Sequence, residues 1–262
     1  MNEKKRSIKM EEGIYWVGNY DDKDALNCNP YLIAEGEEAV IIDAGSRTDF
    51  SEVMLKILNT GIDIKNINRL IYQHYDPDLC SSIPHLESII EREDLTILSQ
   101  SENNIFIKFY GGKSKRVCIE NQNMEHTFKT GRKLKFYRTP YSHSAGSFIT
   151  FDEKTGTLFT SDLFGFWGRR SEIYGKIDDK CKRCTDEERC LECPKKQMKE
   201  FHRRIMTSEK ALKYAMEVIE RIPLKTIAPQ HGAVFTDLED IKYLIKELKN
   251  LKGVGIDGWE SR

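Results

Sequence analysis

The chain has 262 residues, 39% of them hydrophobic and 32% charged, with 41 basic side chains against 42 acidic ones and a formal net charge of -1. That balance excludes a strongly basic nucleic-acid footprint, and the length allows a sizeable core, with about three quarters of the unfolded surface buried on folding. No apolar run approaches the ~18 residues of a membrane helix, and no apolar stretch follows the charged N-terminus Met-Asn-Glu-Lys-Lys-Arg as a signal peptide requires. The expectation is therefore a cytoplasmic protein with neither nucleic acid nor membrane as partner.

In chain order, "IYWVG" (14–18), "PYLIAEG" (30–36) and "EAVIIDAG" (38–45) read as strands, being β-rich and closed by glycine or turn residues. "DFSEVMLKILNTG" (49–61) has helical spacing and a C-terminal stop. "INRLIYQ" (67–73) is a buried-type strand, and "DLCSSIPHLESII" (78–90) a helix with Pro84 as its weak point. "LTILSQ" (95–100) and "KRVCIE" (115–120) are further strands. Beyond residue 130 the pattern is mainly β, with a hairpin turning at Asp-Glu-Lys-Thr-Gly in "GSFITFDEKTGTLFTSDLFG". Residues 195–221 and 237–251 are helical by periodicity, with "LKTIAPQHG" (224–232) as a strand between them, and "GVGIDGWESR" (253–262) reads as a loose tail. The whole predicts one layered domain over 1–262, of α/β/β/α or α/β organisation.

Four segments at strand ends carry metal-ligand chemistry: His74-x-Asp76-x-Asp78, then His143 in "PYSHSAGS", Asp162 in "LFTSDLFG" and His231 in "APQHGAVF". Each alone would most often be a solvated turn, a hydrogen-bonding histidine or a cap. Together, three imidazoles and three carboxylates can hold two divalent cations, and an oxygen-rich set of this kind favours iron or manganese over zinc. His85, His126 and His202 have no partner at ligand spacing and read as structural or surface residues.

The order and spacing of these motifs resemble the metallo-β-lactamase superfamily, whose signature is a strand-end His-x-[His/Glu/Asp]-x-Asp-His box, then a His, an Asp and a final His. Asp76, "YWVG" near the N-terminus and "LFTSDLFG" resemble its flavodiiron branch. The resemblance implies an αββα sandwich and two irons: His74, Asp76 and His143 on the first, Asp78 and His231 on the second, Asp162 bridging. The chain departs from the pattern in having Asp at position 76 and Leu79 where the box usually ends in His, and a flavodoxin-like FMN domain is not expected in it. It thereby looks closer to stand-alone oxygen-binding diiron proteins linked to bacterial chemotaxis. Leu79 counts against a hydrolase, which uses that histidine to hold the water-activating metal; an apolar side chain there makes a drier pocket, or simply packs in the core. Tyr75 and Tyr141 are candidate hydrogen-bond donors to a bound oxygen species, with core packing as the equal alternative. Cys80 is expected to be a buried small hydrophobe.

"CKRCTDEERCLECP" supplies Cys181, Cys184, Cys190 and Cys193. Four of the seven cysteines in two Cys-x-x-Cys pairs suit a reducing compartment and one tetrahedral ion rather than disulfides. An insert over 178–195 is expected to hold zinc or, as rival, iron. The functional expectation is a non-heme diiron protein binding O2 or NO, as a sensor or as a reductase fed by an external donor such as rubredoxin. A chemoreceptor as signalling partner and a homodimer are the other partners expected, and no FMN is expected in this chain. Zinc or manganese is the alternative to iron in the main site. Two rival functions stand beside this expectation: a hydrolase of phosphoesters or thioesters using a metal-bridged hydroxide, and a non-catalytic module docking a partner through the cysteine insert.

Overall fold

The fold was analysed in a computed structural model, which describes residues 6–19, 26–167, 172–184 and 193–261. The described strands fall in two sheets, and the chain divides into two compact units. The first is Met1–Asp21, Asn27–Phe136 and Asp152–Thr155; the second is Asp22–Leu26, Tyr137–Phe151 and Gly156–Arg262. No helix among the described residues is long and apolar enough to cross a membrane.

The first unit is built on seven strands in chain order: β1 Ile8–Glu11, β2 Ile14–Trp16, β3 Tyr31–Glu35, β4 Glu38–Ile42, β5 Ile67–Ile71, β6 Thr96–Ser99 and β7 Lys115–Cys118. β1 to β4 pair antiparallel, β1 with β2 and β3 with β4 through short turns, whereas β4 to β7 pair parallel. Parallel pairing needs crossovers. They come from α1 Phe50–Asn59 between β4 and β5, α2 Pro77–Cys80 and α3 Ile83–Ile90 between β5 and β6, and α4 Ser101–Ile107 between β6 and β7. β4 is buried along its whole length, as expected of a strand covered on both faces. Ile41, Val53, Ile57, Leu70, Leu86 and Ile97 are among the residues of its apolar cluster. The unit also holds β8 Glu125–Thr127, antiparallel to β9 Lys133–Arg138, of which it contains all but the last two residues.

The second unit contains β10 Phe148–Asp152 to its last residue but one, β11 Thr157–Phe159 and β12 Thr226–Ala228, the last two parallel. Its helices are α5 Asp179–Arg183, α6 Pro194–Ile205, α7 Glu209–Ile219 and α8 Leu238–Lys249. The apolar stripes of α6, α7 and α8 meet in one cluster that includes Met198, Phe201, Leu212, Met216, Ile241 and Leu244.

Three expectations are corrected. The single helix expected over 78–90 is two, because Pro84 lacks the amide an interior turn needs and sits instead in the first turn of α3. The helix expected over 195–221 breaks between α6 and α7, where the Ser208 hydroxyl accepts from the Ala211 amide and starts a new helix. The tail is not loose: Val254 is fully buried, Gly255 donates to the Arg203 carbonyl at 2.9 Å, and Ile256 to that of Thr207 at 3.0 Å. Three elements go beyond the expectations: β1 "IKME", α4 "SENNIFI" and β8 "EHT", short stretches rich in polar residues.

Arg132 is a buried charge of the first unit. Its Nε and one terminal nitrogen donate to the two Asp152 oxygens at 2.8 Å each, and the other terminal nitrogen donates to Glu35 at 3.0 Å. Removing one side of such a pair leaves an uncompensated buried charge, so Arg132→Ala is expected to lower unfolding stability by about 3–5 kcal/mol in urea titrations. Burial, with Arg69 nearby, lowers the His126 imidazole from 6.5 to about 4. The unfolded chain gains a proton at this ring below about 6.5 that the native chain refuses until about 4. The stability due to neutral His126 is thus complete above that window and is lost as pH falls through it. His126→Phe is expected to reduce the acid slope of stability there by up to about 1.4 kcal/mol per pH unit, read from unfolding curves at stepped pH.

Candidate metal centre

In the first unit, His74, Asp76 and Asp78 follow β5, whose parallel neighbours are β4 and β6. The carboxyl ends of such strands are where open α/β sheets build sites. Once the ladder stops, the loop's carbonyls need other partners. The Ile71 carbonyl accepts from the Asp43 amide at 2.9 Å, and that of Tyr72 from the Ser99 hydroxyl at 2.6 Å. The Gln73 carbonyl takes the Asn103 amide group at 3.4 Å, and that of His74 takes the Cys80 thiol at 3.7 Å. The Tyr75 carbonyl accepts from the Tyr110 hydroxyl at 2.7 Å, and that of Asp76 from the Leu79 and Cys80 amides at 3.1 and 3.0 Å. Asp43, in the left-handed region at φ 51°, fixes the residue before His74 twice: its two oxygens accept from the Gln73 amide at 2.9 Å and side chain at 2.8 Å. The result is a buried His74 with Nε2 3.9 Å from Asp76 Oδ2. Asp78 Oδ2 accepts from Cys28 Sγ at 3.6 Å.

In the second unit, β11 and β12 end side by side, and the pairing continues past them. Thr160 donates to the Ala228 carbonyl at 3.1 Å and Gln230 to that of Ser161 at 2.7 Å. This holds Asp162 beside His231. The Asp162 loop is closed by the Phe164 amide, which donates to His202 Nε2 at 3.1 Å. The other His202 ring nitrogen lies 2.7 Å from the Met198 carbonyl, which fixes Nδ1 as the protonated one. Burial lowers His202 to about 4, so it is a neutral structural ring. His143 comes from the loop before β10, pinned by Thr139 donating to the Ser147 carbonyl at 3.0 Å and Tyr141 to that of Ser144 at 2.7 Å. Gly232 follows His231 at φ 78°, and a Cβ there would lie 2.5 Å from the Phe166 ring, so glycine is required. The outcome is a shared carboxylate: Asp162 Oδ2 lies 3.0 Å from His143 Nε2, and Oδ1 lies 3.6 Å from His231 Nε2.

The first unit thus pairs His74 with Asp76 and Asp78 with Cys28, and the second joins His143, Asp162 and His231. This donor set, imidazoles each set against carboxylate oxygen, fits divalent iron. Asp162 offers one oxygen toward each of two histidines, which is what a bridging carboxylate needs.

Among the neighbours, Leu79 and Cys80 are fully buried in the apolar cluster of the first unit. Burial raises the Cys80 thiol well above its ordinary range, with Asp43, Asp78 and Asp76 adding to it. Tyr75 packs on Phe106 with ring centroids 4.5 Å apart, while Tyr141 is 56% exposed. His85 packs against Phe50 at 5.1 Å. Cys181 lies on α5, Cys184 just after it, and Cys193 at the start of α6; Cys190 lies outside the described residues. Burial, the Asp178 side chain and the Cys193 thiol raise the Cys181 thiol to about 11. Sequence reasoning missed Asp43 and Cys28. The Asp-Ala-Gly that ends β4 was the available signal for the first; nothing local marks the second.

Residues 26–232 match the family model described as ODP family beta lactamase. The structure is similar to one described as the peroxy diiron species of the chemotaxis sensor ODP, at 26% identity, covering 97% of this chain and 98% of that one with TM-score 0.77. It also resembles rubredoxin oxygen:oxidoreductase from Desulfovibrio gigas, at 19% identity, 93% and 61% coverage and TM-score 0.75. A diflavin flavoprotein sequence of Nostoc sp. (strain PCC 7120) is 25% identical over 221 residues, 80% of this chain. The chain spans only 34% of that relative's length.

The Asp43 contacts predict a separable effect. Asp43→Asn is expected to weaken metal retention about 10–100-fold, as loss of an outer hydrogen-bond partner does, measured by competition with a chelator while circular dichroism stays native.

Proposed function

The chain belongs to the ODP family of beta-lactamase-like proteins, and we propose that it is a non-heme diiron protein that binds O2 or NO. The observation that carries this reading is the Asp162 carboxylate, whose two oxygens are set against two different histidines at 3.0 and 3.6 Å. In this reading His74, Asp76 and His143 would hold the first iron, Asp78 and His231 the second, and Asp162 would be shared by both. When bound, two ferrous ions supply electrons and open coordination positions for a diatomic. The protein's part is to orient the ligands: the carbonyl partners of the 71–76 loop hold His74, and the neutral His202 holds the Asp162 turn.

Sensor and reductase share this site and differ in electron supply, which an external donor of rubredoxin type provides for the reductase. The single-domain reading with an insert over 178–195 belongs to the same proposal. In it, Cys181, Cys184, Cys190 and Cys193 hold one zinc or iron. α6 supports a link between the two metals: Cys193 caps its start, and Phe201, about 12 Å further along at 1.5 Å per residue, lies 5.9 Å from the His231 ring. A cytoplasmic location, a chemoreceptor partner and a homodimer complete the proposal. Hydrolysis is not favoured, since Leu79 leaves the box without its last imidazole.

Fe(II) loading without air is expected to give two irons beyond whatever the cysteines hold, and admission of O2 a coloured product. Asp162→Ala is expected to lose the colour and at least one iron per chain. Two zincs in the main site with phosphodiester cleavage would overturn the reading. Steady O2 consumption only with a reduced rubredoxin-type donor would assign the reductase; one binding event per chain would assign the sensor.

A further inference from the structure

We propose that Cys28 is a thiolate ligand of the ion that Asp78 holds, standing in for the histidine that the metal box lacks. This rests on the diiron reading above. Cys28 is 7% exposed, and its Sγ lies 3.6 Å from Asp78 Oδ2. A thiolate about 2.3 Å and a carboxylate oxygen about 2.1 Å from one ion, at a tetrahedral angle, are about 3.6 Å apart. The two donors are therefore already at the spacing of neighbouring ligands.

The contrast with Cys80 separates coordination from packing. Cys80 belongs to the apolar cluster of the first unit, whereas Cys28 is not among its residues and turns its sulfur to a carboxylate. Leu79 also belongs to that cluster, so the position that could have supplied an imidazole is committed to the core.

The segment carrying Cys28 is fixed on both sides. Trp16 Nε1 donates to Asn29 Oδ1 at 2.8 Å, and the Val17 amide donates to the Pro30 carbonyl at 3.0 Å. Residue 18 must be glycine for this approach, since a Cβ there would lie 2.5 Å from the Cys28 carbonyl oxygen. Lys56 donates to the Gly18 carbonyl and sits 4.1 Å over the Trp16 ring, which anchors the facing strand end. A sulfur held this way loses little freedom on binding an ion.

Without metal, the thiol proton is donated to Asp78. Binding breaks the S–H bond, forms a metal–sulfur bond, and releases the proton to solvent with no change of oxidation state.

The test compares wild type, Cys28→Ser and Cys28→Ala, each loaded with Fe(II) without air and then oxidised. Iron-edge X-ray absorption and the sulfur-to-iron charge-transfer band are read as differences, so that any contribution of the other cysteines, present in all three, cancels. Loss of sulfur scattering and of charge-transfer intensity in both variants is expected, with about 10–100-fold weaker retention of one iron in Cys28→Ala. The isosteric serine variant guards against misfolding, and circular dichroism checks both. Spectra identical to wild type in both folded variants would overturn the assignment while leaving the diiron centre standing. A wild type that takes up no iron sensitive to His143→Ala would bring down the diiron reading itself, and this assignment with it.

Discussion

Where a parallel strand ends, its last carbonyls lose their ladder partners, and a site built there must find others. In this chain the neighbours of β5 provide them. Asp43 after β4 holds Gln73 by main chain and side chain, and Ser99 and Asn103 around the end of β6 reach the Tyr72 and Gln73 carbonyls. The loop bearing His74 and Asp76 is rigid because three strand ends share its hydrogen bonds. A loop so held can present a buried imidazole next to a carboxylate without relaxing into a solvated turn.

The second unit solves the same problem by a different device. β11 and β12 continue their pairing past the strand proper, through Thr160 with Ala228 and Gln230 with Ser161. That extra pair sets Asp162 and His231 side by side. The turn after Asp162 is closed by a histidine kept neutral by burial, whose accepting nitrogen depends on the Met198 carbonyl taking the proton of the other. His202 is therefore invisible as a ligand and still necessary to the shape of the site.

Most strands, and the placing of the six acidic and imidazole candidates just after strand-like runs, were legible in the sequence because both follow local rules. Period-two apolar runs mark strands, and ligand side chains gather just after them. What was not legible depends on packing. The breaks at Ser81–Ser82 and Met206–Ser208 interrupt continuous apolar periodicity through caps and proline placement, and polar α4 shows no strong stripe. The tail looked unanchored because its partners, the carbonyls of Arg203 and Thr207, lie about fifty residues away in sequence. Cys28 was hidden for the same reason, fifty residues before Asp78 and in no motif of its own.

Cysteine at 28 and leucine at 79 are best understood together through charge. Asp76, Asp78 and Asp162 supply three negative charges, one short of the four positive charges of two divalent ions. A hydroxide could make up the difference, and hydrolytic sites of this architecture keep one as the nucleophile. Bound as proposed, a thiolate at position 28 would bring the protein's own ligand set to four negative charges, so that no hydroxide would be needed for balance. Such a neutral cluster would have less drive to ionise a water and would suit an uncharged diatomic. In the proposed site, leucine in place of an imidazole, with the Cys28 sulfur beside Asp78, would favour an uncharged diatomic over a hydroxide.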